Sequence, residues 1–501
     1  MALLLFLITF ISEIDEHNLD ASSGFKIIGT SSYRFGNSVD MVGDFNGDGV
    51  VDFVIGSSHW WTIPDPKDPE YDIVVNGNGR SYVLFGAETI SDISLTTSIS
   101  HDSGFFVDGL SLGDQLGKTV KGIGDINGDG LSDVLIGSPG NNTSYIIFGS
   151  HLNFSSEFDL NSLNGSNGFL INHYSDAVDG NNDLNQDGID DLILGTSVIF
   201  GSVNGFGTTF DITSINGTNG FNIIIGENIT HINFIGDING DGLTDFALAT
   251  EESIYPTGSN LEREGAVYII FGSTDGYLLN LNVEAHINQG KGFYISGTDF
   301  FQVLGLGFDG IGDFNSDGID DFAISERDYR DRNYIVFGGQ EFGERFLLQD
   351  LNGSNGFYFH ADGRHISSIG DINNDGADDF SICDETHNPV SLQSGICHTL
   401  LGQHQDSFVL NLYDTDLDGN NGFSVVGDNY LGRLGSSISG GADINNDGID
   451  DLIIGAAGTS YINSYRGELY VIFGQQGDDR IFYDGFDHES NQSKIQKLQS
   501  N

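Results

Sequence analysis

Seven times the chain repeats the phrase Asp-x-Asn-x-Asp-Gly-x-x-Asp, starting at Asp44, Asp125, Asp183, Asp237, Asp313, Asp371 and Asp443. Oxygen-bearing side chains at alternate positions present hard ligands on one side of a tight loop. The sixth-position Gly permits the sharp turn that lets a seventh-position carbonyl and the ninth-position Asp close the shell. An oxygen-only donor set suits Ca²⁺ and suits neither zinc nor a soft metal. The plain alternative is that Asp, Asn and Gly merely make turns; seven identical spacings argue against it. An EF-hand is excluded, because position twelve, where a Glu must ligate, is Ile55, Ile136, Leu194, Leu248, Ile324, Ile382 or Ile454. These apolar residues start strands instead.

The elements that must position the loops repeat with them. Before each loop lies a small-residue strand A, as in Phe35-Gly36-Asn37-Ser38-Val39 and Leu434-Gly435-Ser436-Ser437-Ile438; after it comes an apolar strand B, such as Phe53-Val54-Ile55-Gly56. Strand C is an aromatic and aliphatic run closing on Phe-Gly, from Tyr82 to Gly86 in the first unit, with His398 to Gly402 in its place in the sixth. Strand D is a Gly-Phe signal beginning at Phe25, Phe105, Phe169, Phe221, Phe293, Phe357 and Phe423. A four-stranded antiparallel blade cannot bury both its faces alone, so neighbours must stack around an axis. The reading is an all-β, seven-bladed β-propeller over residues 20–478. The first strand D signal precedes the first loop and the last unit lacks its own, although Asp484-Gly485-Phe486 is a weak rival. The N-terminal strand is therefore expected to complete the last blade and close the ring.

Composition bounds the partners. Acidic residues number 73 against 18 Lys and Arg, for a formal charge of −55. Nothing in that balance neutralises phosphate, which excludes nucleic acid. Disorder is excluded by 38% apolar residues and 37 Phe, enough for a packed core. With three Asp in every loop, bound calcium relieves much of the repulsion, and the metal-free protein is expected to be much less stable. The two cysteines, Cys383 and Cys397, flank one predicted hairpin loop, a spacing that permits a cross-strand bridge without requiring it. Residues 1–19 form a leader whose start, Met1 to Ile11, is nearly all apolar. It is too short to span a bilayer and reads either as the core of a secretory signal, whole or truncated, or as a plain hydrophobic leader. No other stretch is long enough to cross a membrane. Eight Asn-x-Ser/Thr sequons, Asn153, Asn216 and Asn228 among them, are compatible with a secreted glycoprotein and add little. Residues 479–501 are a polar tail.

These units resemble FG-GAP repeats, the modules of the integrin α-subunit propeller and of related secreted microbial and fungal propellers. Phe35-Gly36 before the loop, the loop itself, and Ile136-Gly137-Ser138-Pro139 or Ile454-Gly455-Ala456-Ala457 after it carry the likeness. The resemblance implies structural Ca²⁺ in up to seven loops joining strands A and B on one face, with ligand-contacting loops on the other. Carried over position by position, the implied ligands are Asp44, Asn46, Asp48, Val50 (carbonyl) and Asp52; Asp125, Asn127, Asp129, Leu131 and Asp133; and Asp183, Asn185, Asp187, Ile189 and Asp191. The remaining sets are Asp237, Asn239, Asp241, Leu243 and Asp245; Asp313, Asn315, Asp317, Ile319 and Asp321; Asp371, Asn373, Asp375, Ala377 and Asp379; and Asp443, Asn445, Asp447, Ile449 and Asp451. Integrin propellers usually carry such loops in only some blades; here all seven are intact. The legs, transmembrane helix and tail of an integrin are absent from this chain.

No nucleophile elbow, phosphate loop or HExxH accompanies the repeats, so the reading is not an enzyme. Acidic pairs such as Asp190-Asp191 imitate glycosidase carboxylates, but their ninth-position member belongs to the loop. His398 reads as core. The informative departures are insertions between strands B and C. The first blade inserts Ser57 to Gly79 with Trp60 and Trp61, the fourth inserts Thr250 to Gly265, and the fifth carries Arg327, Arg330 and Arg332, rare positive charges in an acid protein; these tryptophans and arginines are the expected ligand contacts. Paired aromatics on a loop serve to stack on a sugar or anchor a protein, or else fold back over the blade rim; both readings stand. The expected function is extracellular recognition or adhesion, secreted or at the cell surface, with a protein or glycan ligand. The alternative is the non-catalytic binding domain of a secreted polysaccharide- or lipid-degrading enzyme.

Overall fold

Strand B of the first blade, Asp52–Ser57, is buried at every position because both of its faces are covered. In the computed structural model, Phe53 and Ile55 enter a cluster shared with the seventh blade, and Val54 enters one shared with the second. The structure describes residues 13–15, 19, 22–29, 34–58, 60–65, 68–88, 93–95, 99–152, 154–250, 265–296, 303–327, 332–405, 407–427, 429–458 and 467–476. Met1 to Ile11, Asn153, most of the fourth-blade insertion, Arg330 and the tail with Asp484 to Phe486 lie outside them.

Among the described residues, seven sheets each run A-B-C-D in order, all antiparallel. The first blade comprises Phe35–Gly43, Asp52–Ser57, Arg80–Leu84 and Gly104–Asp108. Each hydrophobic cluster lies between two consecutive blades, so the core is a ring of seven interfaces. The small residues of strand A are required by that stacking: Gly117 has φ +80°, and a Cβ there would stand 2.5 Å from Ser81 Oγ of the neighbouring blade. The seventh blade has Leu434–Ala442, Asp451–Ala456 and Glu468–Ile472, and its fourth strand is Gly24–Ile28. Phe25 stands opposite Val471 in antiparallel register, so the N-terminal strand closes the ring as expected.

Gly-Phe signals anchor one blade to the next. Phe105 stacks on Phe154, Phe169 on Phe206, Phe221 on Tyr277 and Phe293 on Phe342, with ring centroids 4.7, 4.4, 4.5 and 4.2 Å apart; in every case the second ring comes from the next blade's C-to-D connection. Just after that ring the connection adds a short parallel strand to the edge of the preceding blade, as Glu157–Phe158 does beside Gly104–Asp108. Six sheets gain such a fifth strand, a feature absent from the four-strand reading. Two or three residues of parallel pairing leave no periodic trace in a sequence.

Glu13–Asp15 is one of these edge strands. It pairs parallel with Gly422–Val426 of blade six, Glu13 opposite Ser424. It precedes the closing strand at Gly24 by the same interval that separates Glu157 from Gly168 and Asn411 from Gly422. The ring therefore begins inside the expected leader, before residue 20. Among the described residues the longest helix is Val283–Ile287, and none is long and apolar enough to cross a membrane.

Candidate functional site

The seven A-to-B loops share one hydrogen-bond scheme. In the first loop, Asp44 Oδ1 accepts from the N–H groups of Gly47 and Asp48 at 2.7 and 3.0 Å, and its Oδ2 accepts from Gly49 N–H at 3.0 Å. Asp48 Oδ1 accepts from Val50 N–H at 2.9 Å. In the last loop, Asp443 accepts from Asp447 and Gly448 at 3.1 and 2.6 Å, and Asp447 accepts from Ile449 at 3.0 Å. The sixth-position glycines Gly49 and Gly448 both have φ +89°, a left-handed turn that disfavours any side chain.

The ninth-position Asp is tied to the backbone on both of its oxygens. Asp52 is fully buried; its Oδ2 accepts from Phe45 and Asn46 N–H at 2.9 and 3.1 Å, and its Oδ1 from Gly86 N–H at 3.0 Å. Asp451 likewise joins Ile444 and Gly474, at 2.8 and 3.0 Å. The Gly of each Phe-Gly signal thus docks on its own blade's loop carboxylate. Burial pushes the carboxyls of Asp52, Asp191, Asp245, Asp321 and Asp451 up to about 8, against the pull of the backbone donors and with nearby loop carboxylates adding to the rise. Asp133 and Asp379 are raised well above the usual range for the same reason. No loop gathers its three carboxylates within 4.8 Å of one another among the described residues, since the ninth is turned toward the backbone. The donors still fit a hard cation, being all oxygen and strongly negative, and an added positive charge is what would keep the buried member ionised at neutral pH.

Four of the loops are also clamped by the next blade. Asp190, Asp320, Asp378 and Asp450, all at the eighth position, accept from the first-position N–H of the preceding loop, at Asp125, Asp237, Asp313 and Asp371, over 2.7, 2.6, 2.8 and 3.0 Å. The residue before each of those loops is Gly, and at Gly370 a Cβ would meet Asp450 Oδ2 at 2.0 Å. Where the eighth residue is Val51 or Thr244, the preceding residue is Ala442 or Asn182 instead. Asp190 and Asp450 are thus ties between blades. The clamps place the loops together on one rim.

A second ring of residues, missed in the sequence, stands four positions before each loop and lines the axis. Lys121 Nζ lies 3.0 Å from Asp179 Oδ1 and 3.4 Å from Asp40 Oδ2, and Ser439 Oγ donates to Asp40 Oδ1 at 2.9 Å. Asn233 Nδ2 donates to Asp309 Oδ1 at 2.9 Å. Burial pulls the Lys121 ammonium down, but Asp179, Asp40 and Asp309 together raise it above its ordinary value. Burial lifts Asp309 to about 7, with Lys121 opposing and Asp179 adding. A cavity of about 270 Å³ opens in the axis here, lined by strand A residues from all seven blades. The constant offset from each loop was the available signal.

The opposite rim is irregular. The first-blade insertion is a hairpin, Trp60–Asp65 against Asp68–Asn76, with Trp60 opposite Asn76 and Trp61 opposite Val75. Arg327 ends strand B of blade five, Asp321–Arg327, and pairs with Val303 of strand A. Arg332 turns inward: its Nη2 lies 3.3 Å from the buried Glu326 carboxylate, and its guanidinium sits 5.6 Å from the Tyr334 ring centre. Arg327 and Arg332 thus stand on one blade and the tryptophans on another. Cys383 and Cys397 face each other across strands B and C of blade six and are disulfide-bonded. His398 is buried with Nδ1 2.8 Å from Ser424 Oγ, a core residue as expected, and burial holds its imidazole down at about 4.

The FG-GAP repeat family matches residues 122–147 and 434–472, in the second and seventh blades. The chain is 28% identical to integrin alpha-4 of Xenopus laevis over 151 residues, which is 29% of this chain and 13% of that protein. It is 32% identical to integrin alpha-PS2 of Drosophila melanogaster over 121 residues, 23% of this chain and 8% of that one. The matched part thus spans only a small fraction of these relatives' length. Among solved structures, BBS1N in complex with ARL6DN aligns with a TM-score of 0.42 and 10% identity, covering 92% of this chain and 100% of that one. The repeats, the blade order and the integrin α likeness converge: the chain is a seven-bladed β-propeller that carries FG-GAP repeats in its second and seventh blades.

Proposed function

We propose that this propeller serves extracellular recognition or adhesion, secreted or at the cell surface, with structural Ca²⁺ in its seven A-to-B loops. The observation that carries the reading is the contrast of rims: seven loops with one hydrogen-bond scheme on one side, and connections of unequal length on the other. Bound calcium supplies the positive charge that offsets each loop's carboxylates. The loop's own residues do the rest. The first Asp orders the turn, and the ninth ties the turn to the end of strand C.

A rigid scaffold with length variation confined to one rim is where specificity usually resides. A protein or glycan ligand is therefore assigned to the rim with the Trp60 and Trp61 hairpin, with Arg327 and Arg330 as candidates for cationic contacts; Arg332 is already engaged by Glu326 and acts as a brace. The role is binding, without catalysis. A glycan array and a panel of extracellular proteins, probed in calcium, test it. Binding weakened at least tenfold by Trp60→Ala with Trp61→Ala, at an unchanged calcium-dependent melt, supports the assignment. A double variant that binds normally removes it, and turnover in parallel hydrolase and lyase assays would replace recognition with catalysis.

A further inference from the structure

Asp362, Asp384 and His387 are the one group among the described residues in which three carboxylate or imidazole ligand atoms all lie within 4.8 Å of one another. His387 Nδ1 is 2.6 Å from Asp362 Oδ2. Asp384 ends strand B of blade six, Asp379–Asp384, next to the disulfide-bonded Cys383, and His387 stands in the turn that follows. Asp362 follows strand D of blade five, Gly356–His360. The cluster thus spans two blades on the rim opposite the Asp-rich loops.

The three residues are held from outside. Thr386 donates its N–H and its hydroxyl to Asp384 Oδ1 at 2.8 and 2.7 Å. Gly395 N–H donates to the His387 carbonyl at 3.1 Å, and Arg364 N–H to the Cys383 carbonyl at 2.8 Å, which ties the Asp362 turn to strand B. Asp384 is 7% exposed, whereas the His387 and Asp362 side chains are 38% and 34% exposed. The group has a buried floor and an open mouth.

We propose that this cluster binds one borderline divalent cation of the Zn²⁺ class through His387 Nδ1 and the carboxylates of Asp362 and Asp384, with water in the open positions. Three protein ligands including a nitrogen are too few and too soft for calcium, which takes six to eight oxygens, and suit zinc or cobalt. Ligand atoms about 2.0–2.2 Å from one ion stand at most about 4.4 Å apart, so the cluster needs little closing. The bonds from Thr386 are of the kind that orient a metal-binding carboxylate. The competing arrangement is a His–Asp ion pair in which a proton takes the cation's place.

The full chain, with its loops saturated by millimolar calcium, is titrated with Co²⁺ alone while visible absorption is followed, and with Zn²⁺ alone by calorimetry. The expected result is one equivalent of each, with cobalt bands of a nitrogen-ligated ion. Binding should fall at least tenfold in His387→Ala and in Asp362→Asn, at an unchanged calcium-dependent melt; should the first variant fold poorly, the second carries the test. No cobalt retained under saturating calcium, or retention unaltered by both substitutions, overturns the site and leaves the ion pair.

Discussion

The two rims are built on the same strands and differ in what their loops are allowed to do. On the Asp-rich rim, every loop is attached to its own turn through Asp44 or its equivalents and to its own strand C end through Asp52 or its equivalents, and four are also tied to the next blade through Asp190, Asp320, Asp378 or Asp450. A loop so constrained cannot change length without leaving buried donors unpaired. On the other rim, the B-to-C connection is a two-residue turn between Asp191–Leu194 and Ser197–Ile199 in blade three, and a whole hairpin in blade one. Uniformity on one side therefore reports satisfied backbone chemistry, and variety on the other reports freedom. A propeller can keep its ring and change its specificity.

The largest expected effect tests whether the uniform rim is a metal rim. Extracellular calcium modules bind with constants of about 10⁻⁴ to 10⁻³ M, and at roughly ten times the constant each site adds about 1.4 kcal/mol by mass action. Seven sites together add about 10 kcal/mol, comparable to a typical domain's net stability. The melting midpoint should rise strongly from EDTA to millimolar calcium; an unchanged midpoint removes the metal from the comparison.

Next comes the ninth-position carboxylate. Asp52→Ala leaves the N–H groups of Phe45, Asn46 and Gly86 without their acceptor, a cost of about 3–5 kcal/mol in denaturant unfolding even with calcium present. Loss of calcium affinity alone, at unaltered stability in EDTA, would show that Asp52 is a ligand and no tie. Smaller is the inter-blade clamp: Asp450→Ala removes the acceptor of Asp371 N–H and should cost about 1–2 kcal/mol. An effect below experimental error would mean that stacked side chains alone hold the blades.

The axial ring gives a pH signature. Asp309 titrates near 7 in the folded chain, above its unfolded value of about 3.9. The folded state therefore holds this proton more tightly. Its contribution is present at acid pH and is lost as pH rises from about 4 to about 7. Asp309→Asn should flatten the melt between pH 5 and pH 7 relative to the parent, and equal slopes would dismiss it. The smallest effect is expected on the free rim, where Trp60→Ala with Trp61→Ala should shift stability by less than about 0.5 kcal/mol. An early melt would make those tryptophans part of the scaffold and erase the contrast.

Much of this was legible before any coordinate. The loops and strands B, C and D announce themselves because each needs particular residue types at fixed spacing, and ring closure by Gly24–Ile28 follows from counting strands. Glu13–Asp15 was hidden inside an apolar leader because three residues of parallel edge pairing impose no pattern. Arg332 read as free positive charge, since nothing in its neighbours along the chain announces that Glu326 is buried beside it. The eighth-position Asp read as one half of an acidic pair; its partner N–H belongs to another blade.

Local chemistry, then, is written in the chain: nine residues suffice to make a turn, and a turn's hydrogen bonds close within itself. The number of blades and the identity of each strand follow from repetition. What only the assembled ring decided is which carboxylate faces a backbone donor, which faces the axis and which lies open to a cation. Those choices depend on burial between blades, where residues a whole repeat apart meet. Desolvation there determines whether Asp52, Asp309 or Asp450 is a tie, a titrating group or a clamp.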